Sequence, residues 1–274
     1  STYLGELLIN EYGASEYTVI DPSVRDSSSA VKVIRDYFSF DVVSDISVDY
    51  VLSLSCLEHV PDPVGFLRDV NRLLLEKQGE AVIMFPDVTR QLSSGDINVL
   101  LHEHLTYFTE KSALSLLEQL GFDVLAYETK NDLFKVHLKA VKQPRTMIKV
   151  EPQRTLVAEF VNKLESALAA LKITILNATE SKKIIAFHGA CNGLNNIFSL
   201  LSIEDFSSIF VLDSDSKKEN GYLSAFPKPI QLATKDSYSK ADVVYISAMT
   251  FYEDIRSNLV NNLGVPSNKI LPLM

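Results

Sequence analysis

The sequence predicts an α/β protein made of two unlike units, a larger doubly wound one and a smaller one after it. Three observations lead there. Short β-branched and aromatic runs alternate with amphipathic helical stretches up to residue 140. The alternation stops at Gln143-Pro144-Arg145, and a long amphipathic helix follows Pro152. It restarts on a smaller scale after Lys182-Lys183. The expected division is residues 1–145, a linking helix within 146–181, and residues 182–274.

In the first unit, Tyr17-Thr18-Val19-Ile20 reads as a short strand ending at Asp21-Pro22, and Tyr50-Val51-Leu52-Ser53-Leu54 as a second. A helix opens after Pro61-Asp62-Pro63, with Phe66, Leu67, Val70, Leu73 and Leu74 at helical spacing. Gly79 precedes a third strand, Ala81-Val82-Ile83-Met84-Phe85, stopped by Pro86. A helix over 114–120 stops at Gly121, and strands are expected at 124–127 and 134–140. Such alternation implies a mostly parallel sheet covered by helices. In the linking helix, Val157, Phe160, Val161, Leu164, Leu168, Leu171 and Ile175 form the apolar stripe. In the second unit, Ile184-Ile185-Ala186-Phe187 is a strand leading into His188-Gly189-Ala190-Cys191-Asn192-Gly193 and a helix. Strands at 209–212 and 243–246 and a helix over 252–263 complete it.

Composition narrows the function. With 46% hydrophobic and 22% charged residues the chain is ordinary for a globular protein. No apolar run approaches the roughly 20 residues that span a bilayer, so no membrane partner is expected. The opening Ser1-Thr2-Tyr3-Leu4-Gly5 lacks a basic, apolar leader. Cys56 and Cys191 stand far apart, which suits packed thiols in a reducing, cytoplasmic setting and supplies no metal site. A net charge of −9 opposes nucleic acid and favours a small-molecule substrate. A homo-oligomer is allowed by the sequence, which carries no signal for or against it.

Asp21 and Asp213 each end a predicted strand. An acid there commonly holds a ribose diol in doubly wound sheets, and more often serves a turn. Glu58 and His59 lie in the loop after the second strand, where such a sheet opens to ligand, and His59 suits either proton transfer or a helix lead-in. His102-Glu103-His104 is the other cluster able to carry proton chemistry. His188 to Gly193 lacks the G-x-G-x-x-G spacing and reads as a packing turn.

These residues carry a resemblance. "VDYVLSLSCLEHVPDPVGFLRDVNRLLLEKQGEAVIMFPD" resembles the later half of a class I S-adenosylmethionine-dependent methyltransferase, with its strand, His-x-x-Asp-Pro-like turn and leucine-ended helix. "HEHLTYFTEKSALSLLEQLGFDVL" is similar to the E-H-x-x-x-[FY] segment of the sugar C-methyltransferase branch. "IIAFHGACNGLNNIF", "VLDSDSKKENGYLSAFPKPI" and "DVVYISAMTFYEDI" are similar, in order, to parts of that branch's C-terminal α/β domain.

The resemblance implies a Rossmann-like methyltransferase domain, incomplete at its N-terminus, plus a smaller C-terminal α/β domain. It implies S-adenosyl-L-methionine as cofactor and a sugar, nucleotide-linked, as acceptor for C- or O-methylation. By the same resemblance His104 is the base, Glu103 its orienter, His59 a second acid/base, Asp21 a ribose contact, and His102 and Tyr107 acceptor-side residues. The departures are plain. The branch's tyrosine before the Glu-His pair is replaced here by Leu100, Leu101 and His102, and its cysteine-rich zinc segment is absent. "STYLGELLINEYG" reads as the helix that should follow the cofactor's Gly-x-Gly loop, so that loop and its strand are expected to be missing. The competing readings are a non-catalytic, methyltransferase-derived binding or scaffold protein and an NAD-dependent sugar oxidoreductase, the latter opposed by the glycine spacing.

Overall fold

In the computed structural model, residues 2–26, 28–46, 48–142 and 153–273 are described. The breaks predicted at Gln143-Pro144-Arg145 and Pro152 lie outside them. The chain forms two compact units that do not follow the sequence-drawn boundaries. The first is Ser1–Asp87 with Leu105–Val150, the second Val88–His104 with Glu151–Met274.

The first unit opens with α1 (Thr2–Tyr12), β1 (Thr18–Ile20), β2 (Lys32–Ile34), α2 (Phe40–Val43) and β3 (Tyr50–Leu54). The next helix, α3 (Pro63–Lys77), starts where the sequence places it. Asp62 accepts the Gly65 N–H at 2.9 Å, and Pro63 sits where no amide donor is needed. Its apolar face buries Leu67, Val70, Leu73 and Leu74, and Gln78 ends it in the left-handed region at φ 58°. Strand β4 (Glu80–Pro86) alternates strictly, burying Ala81, Ile83 and Phe85.

The chain then enters the second unit for α4 (Thr89–Ser94) and returns for α5 (Glu110–Gln119), β5 (Phe122–Lys130) and β6 (Leu133–Ala140). Thr109 and Ser112 close a reciprocal capping box at the start of α5.

The first unit holds two sheets. One is the parallel pair β1–β2; the other has the order β3-β4-β6-β5. The expectation of a mostly parallel arrangement needs correction here. β3 and β4 run parallel, but β6 is antiparallel to both β4 and β5. The cause is the connection. Asn131 and Asp132, at φ 52° and 60°, form a two-residue turn with both residues left-handed, which only a hairpin uses. The core beneath this sheet joins Phe85, Phe108 and Phe134, with ring centroids 4.9 and 5.3 Å apart across Phe85.

In the second unit, α6 (Arg154–Glu180) is followed by β7 (Ile185–His188), α7 (Asn192–Leu201), β8 (Ile209–Asp213), β9 (Gln231–Leu232), α8 (Lys235–Ser239), β10 (Val243–Ile246), α9 (Tyr252–Asn261) and β11 (Ile270–Pro272). The five strands are all parallel in the order β11-β10-β7-β8-β9. The chain builds outward from β7 on one side and then returns to the other, so the sheet switches direction between β7 and β10. Rather than standing apart as a link, α6 contributes Phe160, Leu164, Leu171, Ile175 and Ala178 to this unit's core. Val157 and Val161, expected on the same apolar stripe, are exposed.

His188, the last residue of β7, is buried with its Nδ1 hydrogen-bonded to the Tyr238 hydroxyl. Burial pushes its pKa below the ordinary 6.5; nearby Asp213 opposes this and Lys218 adds to it. The unfolded chain therefore takes up this proton at a higher pH than the folded one. The His188 contribution is complete above 6.5 and falls away as the pH drops below it. The melting temperature is expected to decline from about pH 7.5 to about pH 5.5, and His188→Gln to flatten that part of the profile. An unchanged slope in His188→Gln melts would assign it to other groups.

Candidate functional site

Asp21 follows β1, at the carboxyl end of the strand. Its Oδ1 accepts the Ser23 N–H and the Ser23 hydroxyl, both at 2.7 Å. Those two bonds hold its carboxyl below the usual range, and the residue is half-buried. The turn role weighed for this acid is thus present, and it uses one oxygen. A charged acceptor so placed is suited to a vicinal diol.

After β3 the chain turns through Ser55, at φ 50°, into a single 3₁₀ turn, Leu57–His59. Leu57 anchors the turn in the core at 1% exposure. Glu58 is 3% exposed, and its backbone carbonyl accepts the N–H groups of Leu105 and Thr106 at 2.8 and 3.3 Å. Those two bonds tie the start of the 105–108 stretch to the loop after β3, within the first unit that also holds Tyr107. The Glu58 Oε2 has no hydrogen-bond partner among the described residues, and a buried carboxylate oxygen without a donor is costly. His59 presents Nε2 at 3.8 Å from Glu58 Oε1, with 40% of its side chain exposed. Sequence reasoning left Glu58 without a role; its position one residue before His59 was the available signal.

Cys56 is exposed rather than packed. Local desolvation raises its thiol pKa, with the Glu58 charge adding to it, so the thiolate needed for nucleophilic attack is disfavoured.

His102, Glu103 and His104 belong to the second unit, whereas Asp21, His59 and Tyr107 belong to the first. The carboxylate assigned to orient His104 has His102 beside it: Glu103 Oε1 lies 3.6 Å from His102 Nε2, with side chains 69% and 80% exposed. The His104 N–H donates to Leu101 O at 3.1 Å, which makes the three residues a tight turn rather than the first turn of α5.

Asp213, the second strand-end acid, has a structural task. Its carboxylate accepts the Ala190 N–H, the Asp215 N–H and the Lys218 ammonium at 2.8–2.9 Å. Burial alone would raise its pKa, but these bonds hold it below the ordinary value. It closes the turn after β7 and leaves little capacity for a ligand. A cavity of about 410 Å³ lined by Tyr17, Thr18, Val31 and Lys32 lies at the amino ends of β1 and β2, the edge opposite Asp21. No helix among the described residues is long and apolar enough to cross a membrane.

Residues 3–127 match the family model described as a methyltransferase domain. No curated protein matches the chain. Among solved structures, a chain of a complex containing the Haloferax volcanii Trm112 methyltransferase activator is similar over 53% of this chain and 80% of its own. The identity is 14% and the TM-score 0.42.

Proposed function

We propose that this chain acts in methyl transfer from S-adenosylmethionine to a carbohydrate acceptor, a nucleotide-linked sugar. The match of residues 3–127 to a methyltransferase domain carries the reading. Asp21 at the end of β1 supports the cofactor side, since its carboxylate would accept hydrogen bonds from the ribose hydroxyls. When bound, S-adenosylmethionine supplies an electrophilic methyl group on a sulfonium.

The chain's own residues do the rest. His104 takes the proton from the acceptor, from carbon beside a ketone or from a hydroxyl, as the acceptor becomes nucleophilic. Glu103 favours the imidazolium that results. His59, steadied by Glu58, is a second proton carrier, and His102 and Tyr107 contact the acceptor. The Glu58 oxygen without a donor fits an acceptor that brings a hydroxyl or amide N–H of its own.

Calorimetric titration with S-adenosylhomocysteine tests the cofactor side. Saturable micromolar binding is expected, weakened by about 1.5–3 kcal/mol in Asp21→Ala, the worth of a charged hydrogen bond. Equal affinity in the variant would remove Asp21 from the site. No binding in the wild type would favour a non-catalytic binding protein.

A further inference from the structure

The segment Val88–His104 interrupts the first unit between β4 and α5, yet its side chains build the second. Val88, Ile97 and Val99 are buried in the same cluster as Phe160, Leu194 and Ile197. Lys163 of α6 donates its ammonium to Ser93 O, and Asn196 of α7 donates to Leu100 O at 2.9 Å. Gly95, at φ 80°, turns the segment where an added Cβ would meet Lys163 Cβ at 2.8 Å.

Asn98 is the deepest polar attachment. It lies in the 3₁₀ turn Ile97–Val99, capped by Asp96, which accepts both the Asn98 N–H and its side-chain NH₂ at 2.9 and 2.7 Å. On the other side, the Cys191 thiol donates to Asn98 Oδ1 at 3.7 Å. Between these holds, the carboxamide rests on Gly193 in the first turn of α7. A Cβ at Gly193 would stand 1.9 Å from Asn98 Oδ1 and 2.5 Å from its Cγ. A short side chain pinned from two sides cannot swing away cheaply, so residue 193 must be glycine while Asn98 is seated. This contact is made at the turn after β7, where the sheet switches direction.

We infer that Asn98, seated in the notch at Gly193, is a positioning residue that sets His102-Glu103-His104 from the second unit. Only Val99, Leu100 and Leu101 separate Asn98 from His102, and Leu100 O is fixed by Asn196 on the way. A slip at Asn98 therefore moves the histidines. The inference rests on the proposed role of those residues in methyl transfer.

The test compares Gly193→Ala, Asn98→Ala and the double variant of the full chain. Amide exchange across 96–104, S-adenosylhomocysteine affinity and methyl transfer to nucleotide-linked keto-sugars are the readouts. Each single variant should speed exchange in 96–104 at least about tenfold, with β4 amides and S-adenosylhomocysteine affinity unchanged. The double variant should be no worse than Asn98→Ala, because the clash disappears with the carboxamide. Turnover should fall while the KM for S-adenosylmethionine holds.

Unchanged exchange, or additive effects of the two substitutions, overturns the notch as the anchor. Faster exchange with normal turnover overturns positioning and leaves the methyltransferase reading standing. Coupled exchange effects in a protein that transfers no methyl group keep the anchor and overturn the proposed function instead, and with it the positioning role. Should Gly193→Ala fail to fold, Asn98→Ala alone decides by the same readouts.

Discussion

Replacing His104 with alanine is expected to lower methyl transfer about a thousandfold, close to 4 kcal/mol of activation free energy, with cofactor affinity and fold intact. The magnitude follows from the role. A general base contributes roughly 10²- to 10⁴-fold, and the chain's other histidines are unequal substitutes. His102 is mostly exposed, so solvent screens whatever Glu103 does for it. His137 is paired with Glu80 at 2.7 Å in the β4–β6 ladder, and His188 is buried against Tyr238. His59 is the serious competitor. Single-turnover rates of His104→Ala and His59→Ala with tritiated methyl donor separate the two. Retained turnover in the first and loss in the second would move the base to His59. Glu103→Gln should cost less than His104→Ala, since removing the orienting charge leaves the imidazole in place. Equal melting temperatures are expected because His104 is only half-buried and lies in none of the hydrophobic clusters.

Much of this was legible in advance, for physical reasons that differ by element. The helix at Pro63 announced itself through Asp62 and the proline at its first position, and β4 through its alternation with Pro86 behind it. The α/β class with two units followed from that alternation and its restart. Strands β2, β9 and β11 were not found. They hold three, two and three residues, too short for period-2 alternation to register, and β11 ends in Pro272. The antiparallel β5–β6 hairpin was legible but unread: Asn131-Asp132 between two β-rich runs is a turn signal in its own right. The attachment of Val88–His104 to the second unit could not be read at all. Its anchors, Ile97, Asn98 and Val99, are separated from Phe160 and Gly193 by some sixty to a hundred residues, and no local pattern encodes so distant a pairing. The same limit applies at the site. The acid at the end of β1 could be picked out from sequence, but its Ser23 bonds could not. The Glu103–His102 approach likewise depends on a turn set by the His104–Leu101 hydrogen bond.

Phe134→Ala is the substitution expected to cost most in stability, about 3–5 kcal/mol. Phe134 is fully buried on β6, the strand bonded to neighbours on both sides, opposite Phe85 on β4 and Thr129 on β5. Its ring lies 5.3 Å from that of Phe85 and 5.9 Å from that of Tyr127, so truncation opens a void where two strands and α5 meet. Set against a typical total of 5–15 kcal/mol, the loss is a large share of the first unit's stability. Each hydrophobic cluster draws on one unit: Phe134 belongs with Leu67, Ile83 and Leu117, whereas Phe187, Ile197 and Ile209 form a cluster of the second. The expected result is therefore local. Amide protection should collapse in β4, β5 and β6 while β7, β8 and β10 keep theirs, and S-adenosylhomocysteine binding should fade with the first group. Leu133→Ala, next in sequence but 39% exposed, is the control that should leave protection nearly unchanged. If both groups of strands lost protection together in Phe134→Ala, the two units would be one cooperative folding block, and the separate cores would not describe how this chain unfolds.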